Sequence, residues 1–277
     1  MRRGWISLSS ETIARNRNEQ TKRHTCDHGG MPLFYLRRLT GRKRTETSNR
    51  HLARYLAFIA GAANAGGFLA VRQYTSHMSG IVSAMADNFA VGSLTVALSG
   101  FAAVMSFLLG AFATTLFIRW ARSRRLESEY ALPLIAEAVL LILFGFTGRV
   151  FAGGRVWGTV LLLCFTMGLQ NAIITKLSKN VIRTTHLTGM VTDTGIALGR
   201  IVSKRFAGAH GTLAPELATL RLLTSLIALF FIGGVIGAVG FKHAGFFFTL
   251  PLATALFLLA ALPVVDDMRR GYRIGAS

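Results

Sequence analysis

The chain has 277 residues, of which 52% are hydrophobic and only 16% are charged, and its mean hydropathy is +0.47. A soluble domain of this length carries more charge and shorter apolar runs, so the composition excludes an ordinary soluble enzyme. A net charge of +19 would fit a nucleic-acid partner, but the basic residues interrupt apolar runs instead of forming one face. Basic residues flank membrane helices in this way, so no nucleic-acid partner is expected.

The two ends of the chain are basic. Residues 1–52 contain Arg-rich clusters and no long apolar stretch. They are not a secretory signal, because no short apolar region with a cleavage site follows the basic residues. Their composition predicts a disordered cytoplasmic tail, and Met31 is a candidate for the true start of the chain. Residues 266–277 are interpreted as a short basic cytoplasmic C-terminus.

Six stretches carry the roughly 20 mostly apolar residues that a membrane-spanning helix needs. They are residues 53–72, 98–119, 131–148, 156–175, 221–240 and 246–264. Two intermediate stretches, 79–95 and 188–202, are apolar but contain an acidic residue and several glycines. The pattern predicts an all-α integral membrane protein with about six transmembrane helices and two partial or broken helices.

The orientation follows from the basic loops, which stay on the cytoplasmic side. Basic residues cluster in both termini, in the loop Arg119–Arg125 and between the fourth and fifth spans. Six spans with both termini in the cytoplasm place all of these segments inside. A crossing by residues 79–95 alone would move Arg119–Arg125 outside. A chain of eight spans, in which both intermediate stretches cross, is the alternative.

An internal duplication is the most informative feature of the sequence. Gly-Ala-Ala-Asn-Ala at residues 61–65 is followed by Thr-Ser-His-Met-Ser-Gly at 75–80. The same order recurs as Gly-Leu-Gln-Asn-Ala at 168–172 and Thr-Thr-His-Leu-Thr-Gly at 184–189. Each copy ends a span, forms a polar turn and enters a partial helix. The membrane part therefore divides into two units of three spans.

The two units, residues 53–150 and 151–265, have opposite orientations because each contains three spans. An inverted repeat of this kind is common among small-molecule transporters. Hydroxyl residues before a glycine and an apolar run mark the start of a helix. If the two turns lie within the membrane, they form opposed polar sites at positive helix ends. The alternative is a pair of helices that lie on the membrane surface.

The repeated polar residues are the candidate substrate-binding residues. Asn64 and Asn171 lie inside apolar spans, where an amide that faces lipid loses its hydrogen bonds. They are expected to face the bundle interior, either as substrate contacts or as hydrogen bonds between helices. The turns add four candidates: Thr75, His77, Thr184 and His186. Small residues crowd the first and fifth spans, which indicates close helix packing.

Three acidic residues are candidates for ion or proton coupling, because an ionisable group inside a membrane is costly and usually functional. Asp87 and Asp193 lie in the partial helices; the alternative places them at helix ends in water. Glu137 lies about one third of the way into the third span, either buried or reaching the cytoplasmic interface. His77 and His186 are also able to carry protons. No metal-ligand spacing, disulfide framework or cofactor motif is present, so no metal or cofactor is expected.

The paired motifs resemble the YoaK-like family of bacterial membrane proteins, which is described as a domain of unknown function. The similarity covers roughly residues 50–270 and rests on the Asn-Ala elements and the two His-containing turns. In many members a polar residue follows each turn's glycine, whereas this chain has Ile81 and Met190. That difference argues against ligand binding by these two residues. The resemblance implies a bacterial inner membrane and supplies no substrate.

The leading functional hypothesis is a small-molecule permease or transporter with a site at the repeat axis. The alternative is a non-transporting scaffold or sensor whose basic tail binds anionic lipid or a partner. An intramembrane enzyme would need a nucleophile–base pair or a metal site. The chain has neither Gly-x-Ser-x-Gly nor His-Glu-x-x-His, so no enzyme is expected. The expected partners are the lipid bilayer and an unknown small molecule, and a homo-oligomer stays open.

Overall fold

The computed structural model describes residues 45–71, 74–126, 128–150, 156–177, 187–206 and 212–274. These residues form helices and no strand. The α-helices are α1 (Glu46–Val71), α2 (Met78–Ala90), α3 (Leu94–Ser123), α4 (Ala131–Val150), α5 (Val156–Leu177), α6 (Leu187–Phe206), α7 (Ala214–Ala244) and α8 (Thr249–Ile274), with a 3-10 helix at Gly245–Phe248. Each apolar stretch of the sequence corresponds to a helix, which confirms the all-α class.

Within the described ranges, four helical stretches are long and apolar enough to cross a membrane. They are Glu46–Leu69, Leu94–Ser123, Trp157–Lys176 and Ala214–Ala261. The last has 48 residues, and a single helix of that length would measure about 70 Å, more than twice the roughly 30 Å hydrocarbon core. Gly245, with a φ of +58° that suits glycine, divides it into α7 and α8. Ala131–Phe146 in α4 is a shorter apolar helix.

Large apolar side chains cover the outer surfaces of α3 and α7. Phe112 of α3 is 57% exposed and Phe231 of α7 is 69% exposed. Such a surface is unfavourable in water, where soluble monomers keep exposed apolar patches small. It is favourable beside acyl chains, which are as apolar as the side chains themselves. The exposed surface therefore fits a membrane protein.

Three pairs of helices form the bundle: α1 packs against α7, α3 against α5, and α4 against α8. The partial helices are attached to the outside of this arrangement, α2 against α3 and α6 against α7. The main core cluster contains fully buried residues of α1, α4, α5 and α8, including Leu56, Leu134, Ile173 and Leu256. The polar side chains described below therefore lie between helices whose contacts are apolar.

Two glycines allow α1 and α7 to touch through their backbones. A Cβ atom placed on Gly61 would lie 2.0 Å from the carbonyl oxygen of Phe230, and one on Gly233 would lie 2.1 Å from that of Phe58. No side chain fits at these distances. The sequence prediction of close packing is confirmed for these two helices.

The crossing of α3 and α5 has the same construction. A Cβ atom on Gly110 would lie 2.0 Å from the carbonyl oxygen of Phe165, and one on Gly168 would lie 2.0 Å from that of Phe107. In all four cases the glycine follows a phenylalanine by three residues, and each Phe-x-x-Gly element contacts another one. One sequence element thus determines both crossings.

The helices α1 and α5 run in opposite directions where they meet. The side-chain amide of Gln170 donates a hydrogen bond of 3.3 Å to the carbonyl oxygen of Leu56. Further along α1, a Cβ atom on Gly67 would lie 3.4 Å from Leu163. The residue number rises from 56 to 67 along α1 while that of the contact in α5 falls from 170 to 163, so the two helices are antiparallel.

The first helix begins earlier than the predicted boundary at residue 53. Thr45 precedes α1, and its hydroxyl oxygen accepts a hydrogen bond of 3.2 Å from the backbone N–H of Ser48. This is the N-cap arrangement in which a hydroxyl satisfies a free N–H of the first turn. Residues 46–52 are therefore helical and not part of a disordered tail, and Leu52 is fully buried. The remainder of the predicted tail, including Met31, lies outside the described residues.

Candidate functional site

The chain reverses direction sharply between α1 and α2. The hydroxyl of Ser76 donates a hydrogen bond of 2.8 Å to Oδ1 of Asn64. Asn64 lies seven residues before Val71, the last residue of α1, which corresponds to about 10 Å along the helix axis. The turn has thus returned past the end of α1 before α2 starts. Asn64 is 9% exposed, so the amide faces the protein interior, as the sequence predicted.

Thr75 is the most deeply buried residue of this turn. It is 1% exposed, and its hydroxyl has no hydrogen-bond partner. The Oγ1 atom lies 3.3 Å from the Cβ position of Gly67, so the absence of a side chain at Gly67 leaves room for the turn. A buried hydroxyl without a partner costs about 1–3 kcal/mol. A water molecule or a polar ligand at this turn would remove that cost.

The helix α2 begins at this turn without a side-chain cap. His77 precedes the helix and forms no capping hydrogen bond, so the first N–H groups of α2 have no partner within the helix. The imidazole ring of His77 lies over Gly80, where a Cβ atom would approach Cδ2 of the ring to 2.3 Å. With 13 residues, α2 is about 20 Å long, too short to cross the membrane.

A cavity of about 470 Å³ lies beside α2 and α3 and reaches the ends of α1 and α5. Metabolite-sized ligands occupy cavities of about 300–1,000 Å³. Its polar lining residues are Tyr74, His77, Asn88, Ser99 and Trp157. The ring of Tyr74 stacks on Phe68 with a centroid distance of 4.7 Å. The cavity therefore combines a few polar groups with an aromatic wall.

A second cavity, of about 320 Å³, lies between α6 and α7. Asp193 lines it together with Arg200, Glu216 and Thr219. Glu216 accepts a hydrogen bond of 2.7 Å from the ammonium group of Lys204, which ties the end of α6 to the start of α7. Each partial helix thus has a cavity on the side that faces its neighbouring long helix.

Asp87 and Asp193 are both exposed, and they do not come from equivalent turns of the two partial helices. Asp87 is nine residues beyond Met78, the first residue of α2, whereas Asp193 is six residues beyond Leu187, the first residue of α6. Asp193 lines the cavity between α6 and α7, whereas Asp87 lines neither of the two cavities described above. Among the described residues no three His, Cys, Asp or Glu side chains come together as a metal site.

Two polar side chains are fully buried in the middle of the bundle. Glu137 of α4 is 0% exposed, and neither carboxyl oxygen has a hydrogen-bond partner. The carboxyl group of Glu137 is therefore buried among the helices and does not reach the surface of the protein. Gln170 of α5 is also 0% exposed; it donates to Leu56, but its carbonyl oxygen has no partner. Gln170 was not among the predicted residues, although a glutamine in an apolar span is a signal of the same kind as an asparagine.

A family model described as "Protein of unknown function (DUF1275)" matches residues 52–262. The chain belongs to the DUF1275 family. This match confirms the family resemblance of the paired motifs, and it extends from within α1 to the middle of α8. Neither a curated protein nor a solved structure matches the chain.

The DUF1275 match includes both copies of the repeat, but the structure describes the two copies unequally. Asn64, Thr75 and His77 lie together at the turn before α2. Asn171 is half-buried in α5 and takes part in an interaction of its own. Thr184 and His186 lie outside the described residues, immediately before α6 begins at Leu187. The first turn is therefore the part of the predicted site whose geometry is defined.

Proposed function

We propose that this DUF1275 protein is a small-molecule permease of the bacterial inner membrane. The observation that carries the proposal is the hydrogen bond between Ser76 and Asn64, which brings the start of α2 back alongside α1. A helix that starts inside the membrane presents free N–H groups and a positive dipole end to a ligand. Transporters use broken helices of this kind to bind substrate. The substrate class that fits is a small molecule with hydrogen-bond acceptor or anionic groups.

The arrangement of the helices supports an inverted repeat. If the first unit is superposed on the second, α1 corresponds to α5 and α3 to α7. The contact of α1 with α7 then corresponds to that of α5 with α3, and both are made by paired Phe-x-x-Gly elements. The hairpin of α2 and α3 corresponds to that of α6 and α7. Two units related in this way place opposed sites on either side of a common axis.

The directions of the helices support six spans. In a chain of six spans, α1 is the first crossing and α5 is the fourth, so the two helices run in opposite directions. In a chain of eight spans α5 would be the fifth crossing and would run parallel to α1. The contacts of Leu56 with Gln170 and of Gly67 with Leu163 make the two helices antiparallel. We therefore infer six spans, with α2 and α6 entering the membrane only in part.

One of the contacts that differ between the two units suggests how the permease works. The helix α4 packs against α5, whereas its counterpart α8 barely contacts α1. One side of the molecule is thus more closed than the other. If the two units exchanged these arrangements, the closed side would open and the open side would close. That exchange is alternating access, and it requires no nucleotide-binding motif, of which the chain has none.

Glu137 is the group that we propose for proton coupling. Its carboxyl group is completely buried and unpartnered, and a carboxylate is stable in such surroundings only with a partner or a proton. A conformational exchange that brought water or a basic group to Glu137 would change its proton occupancy. The exposed Asp87 and Asp193 lack this feature, so Glu137 is the stronger candidate of the three.

The test is a screen of a metabolite library by thermal stabilisation of the detergent-purified protein, at two pH values. The double variant Asn64→Ala, Asn171→Ala and the control Thr254→Ala are screened in parallel. Thr254 is exposed on α8 and its hydroxyl bonds only to its own helix. A compound that raises the Tm of the parent and the control, but not of the double variant, is then tested for flux into proteoliposomes.

Flux of such a compound above that of empty vesicles would support the permease. If no stabilising compound crosses the membrane faster with the protein than without it, the permease proposal fails. A function that is lost when residues 1–44 are deleted, with no flux at any stage, would favour the scaffold or sensor with a basic tail.

A further inference from the structure

A large groove lies between α1, α7 and α8, away from the repeated turns. It encloses about 860 Å³. Its lining residues are His51, Arg54, Tyr55, Phe58, Ile59, Leu229, Ile236, Phe248, Pro251, Leu252, Ala255, Leu258 and Leu259. The groove exists because α8 barely contacts α1, whereas the corresponding helices α4 and α5 are packed together.

The polar lining residues are confined to one end of the groove. His51, Arg54 and Tyr55 lie near the start of α1, and the rest of the lining is apolar. Leu258 and Leu259, in the half of α8 that leads to the C-terminus, line the same groove. Because both termini are predicted to be cytoplasmic, this end lies at the level of the cytoplasmic headgroups. The apolar remainder extends into the hydrocarbon region.

Arg54 is held at this end in a fixed orientation. Its Nε donates a hydrogen bond of 2.9 Å to the hydroxyl of Ser225, which in turn donates to the carbonyl oxygen of Leu222 at 2.7 Å. No ion pair of the described residues includes Arg54. A guanidinium group is suited to binding phosphate oxygens through several N–H groups at once. The positive charge at this end is therefore available to an anionic group.

We propose that this groove binds one anionic phospholipid of the cytoplasmic leaflet, with its phosphate at Arg54 and an acyl chain along the apolar part. An amphiphile with a negative head and an apolar tail matches the distribution of charge along the groove. Basic pockets between helices on the cytoplasmic side bind anionic headgroups in this way. The proposal is independent of transport, because it involves neither the repeated turns nor Glu137.

The experiment measures the Tm of the full chain, delipidated in detergent, as dioleoyl phosphatidylglycerol, dioleoyl phosphatidylcholine or inorganic phosphate is added. Phosphatidylglycerol should raise the Tm at least three-fold more than phosphatidylcholine, and phosphate should not raise it. Arg54→Gln should remove at least half of the difference between the lipids, and Arg54→Lys should retain most of it. The matched control is Arg50→Gln, since Arg50 lies outside the groove and pairs with Glu46 at 3.9 Å.

The apolar part of the groove is tested by filling it. Ala255→Phe places a ring where the acyl chain would lie, so it should reduce the shift with phosphatidylglycerol at least two-fold. Ala261→Phe, on an exposed part of the same helix outside the groove, should leave the shift unchanged. Native mass spectrometry of both proteins provides a second readout, as retention of one lipid per chain.

Four outcomes would overturn the proposal. Equal Tm shifts with the two lipids would mean that the headgroup charge is not recognised, and a full shift in Arg54→Gln would remove the assigned phosphate contact. A shift with inorganic phosphate alone would indicate a site for a free anion. Disulfide-linked dimers formed by Leu258→Cys in membranes, in a chain without its native cysteines, would show that a second copy of the chain occupies the groove.

Discussion

The hydroxyl of Ser76 donates to the amide oxygen of Asn64 across a reversal of the chain that contains the end of α1. Both residues belong to the repeated motif, one in the span and one in the turn that follows it. The contact explains why the two parts of the motif occur together: the amide fixes the position along α1 at which α2 begins. It also gives Asn64 a structural role, and it leaves the two N–H donors and one lone pair of the amide oxygen for a substrate.

A double-mutant cycle measures this contact. Asn64→Ala and Ser76→Ala should each lower the free energy of unfolding by about 0.5–1.5 kcal/mol, the usual contribution of one hydrogen bond. The double variant should lose less than the sum of the two, since both remove the same bond. Ser79→Ala, exposed in the first turn of α2, is the control and should change stability by less than about 0.5 kcal/mol. Additive losses would mean that the bond is not formed in the membrane.

Substitution of the glycines at the helix crossings should lower the stability of the protein, whereas substitution of an exposed helical glycine should raise it. Gly168→Ala forces a methyl group against the backbone of Phe107 and should destabilise the protein by about 1–3 kcal/mol or more. Gly195→Ala is the matched control in α6, because nothing lies within 4 Å of its Cβ position. Alanine is favoured over glycine in a helix by about 0.5–1 kcal/mol, so this variant should be slightly more stable. Equal effects in thermal unfolding would contradict the α3–α5 crossing.

The sequence was sufficient to predict the helical segments, because each has a long apolar run bounded by polar or basic residues. It also predicted that Asn64 faces inward, since an amide in lipid would lack hydrogen bonds. The boundary at residue 53 was wrong. The hydroxyl cap at Thr45 lets the helix begin among polar residues, before the apolar run starts. Hydropathy detects only the apolar part of such a helix.

The partners of the residues were less predictable. Phe-x-x-Gly occurs at both helix crossings, but the sequence alone does not say that Gly61 meets Phe230 or that Gly168 meets Phe107. These contacts join residues far apart in the chain, so no local pattern identifies them. Gln170 was missed because the first copy of the motif has Ala63 in its place, and only residues that recur were selected.

Glu137 should contribute to function at the expense of stability. Glu137→Leu removes a buried carboxyl group without a partner and should raise the free energy of unfolding by about 1–3 kcal/mol. Glu46→Gln, at an acid whose side chain is 86% exposed, should stay within about 0.5 kcal/mol of the parent. If Glu137→Leu is instead destabilised, the carboxyl group has a partner in the membrane.

The coupling role of Glu137 has a separate readout. With a substrate in hand, flux into proteoliposomes should depend on pH in the parent protein and should lose that dependence in Glu137→Gln, which keeps the shape and polarity of the side chain. Glu46→Gln should keep the pH profile of the parent. A profile that is unchanged in Glu137→Gln would remove this residue from proton coupling, whatever its effect on stability.

The number of spans can be measured with four single cysteines in a chain without its native cysteines. Val91, Ser123, Ser203 and Lys242 are exposed at helix ends. With six spans and both termini inside, a membrane-impermeant maleimide added to whole cells should label Val91→Cys and Lys242→Cys, and should reach Ser123→Cys and Ser203→Cys only after permeabilisation. Eight spans would exchange the labelling of Val91→Cys and Ser123→Cys while leaving the other two unchanged. Ser203→Cys and Lys242→Cys are thus internal controls. Inversion of all four results would mean that both termini lie outside.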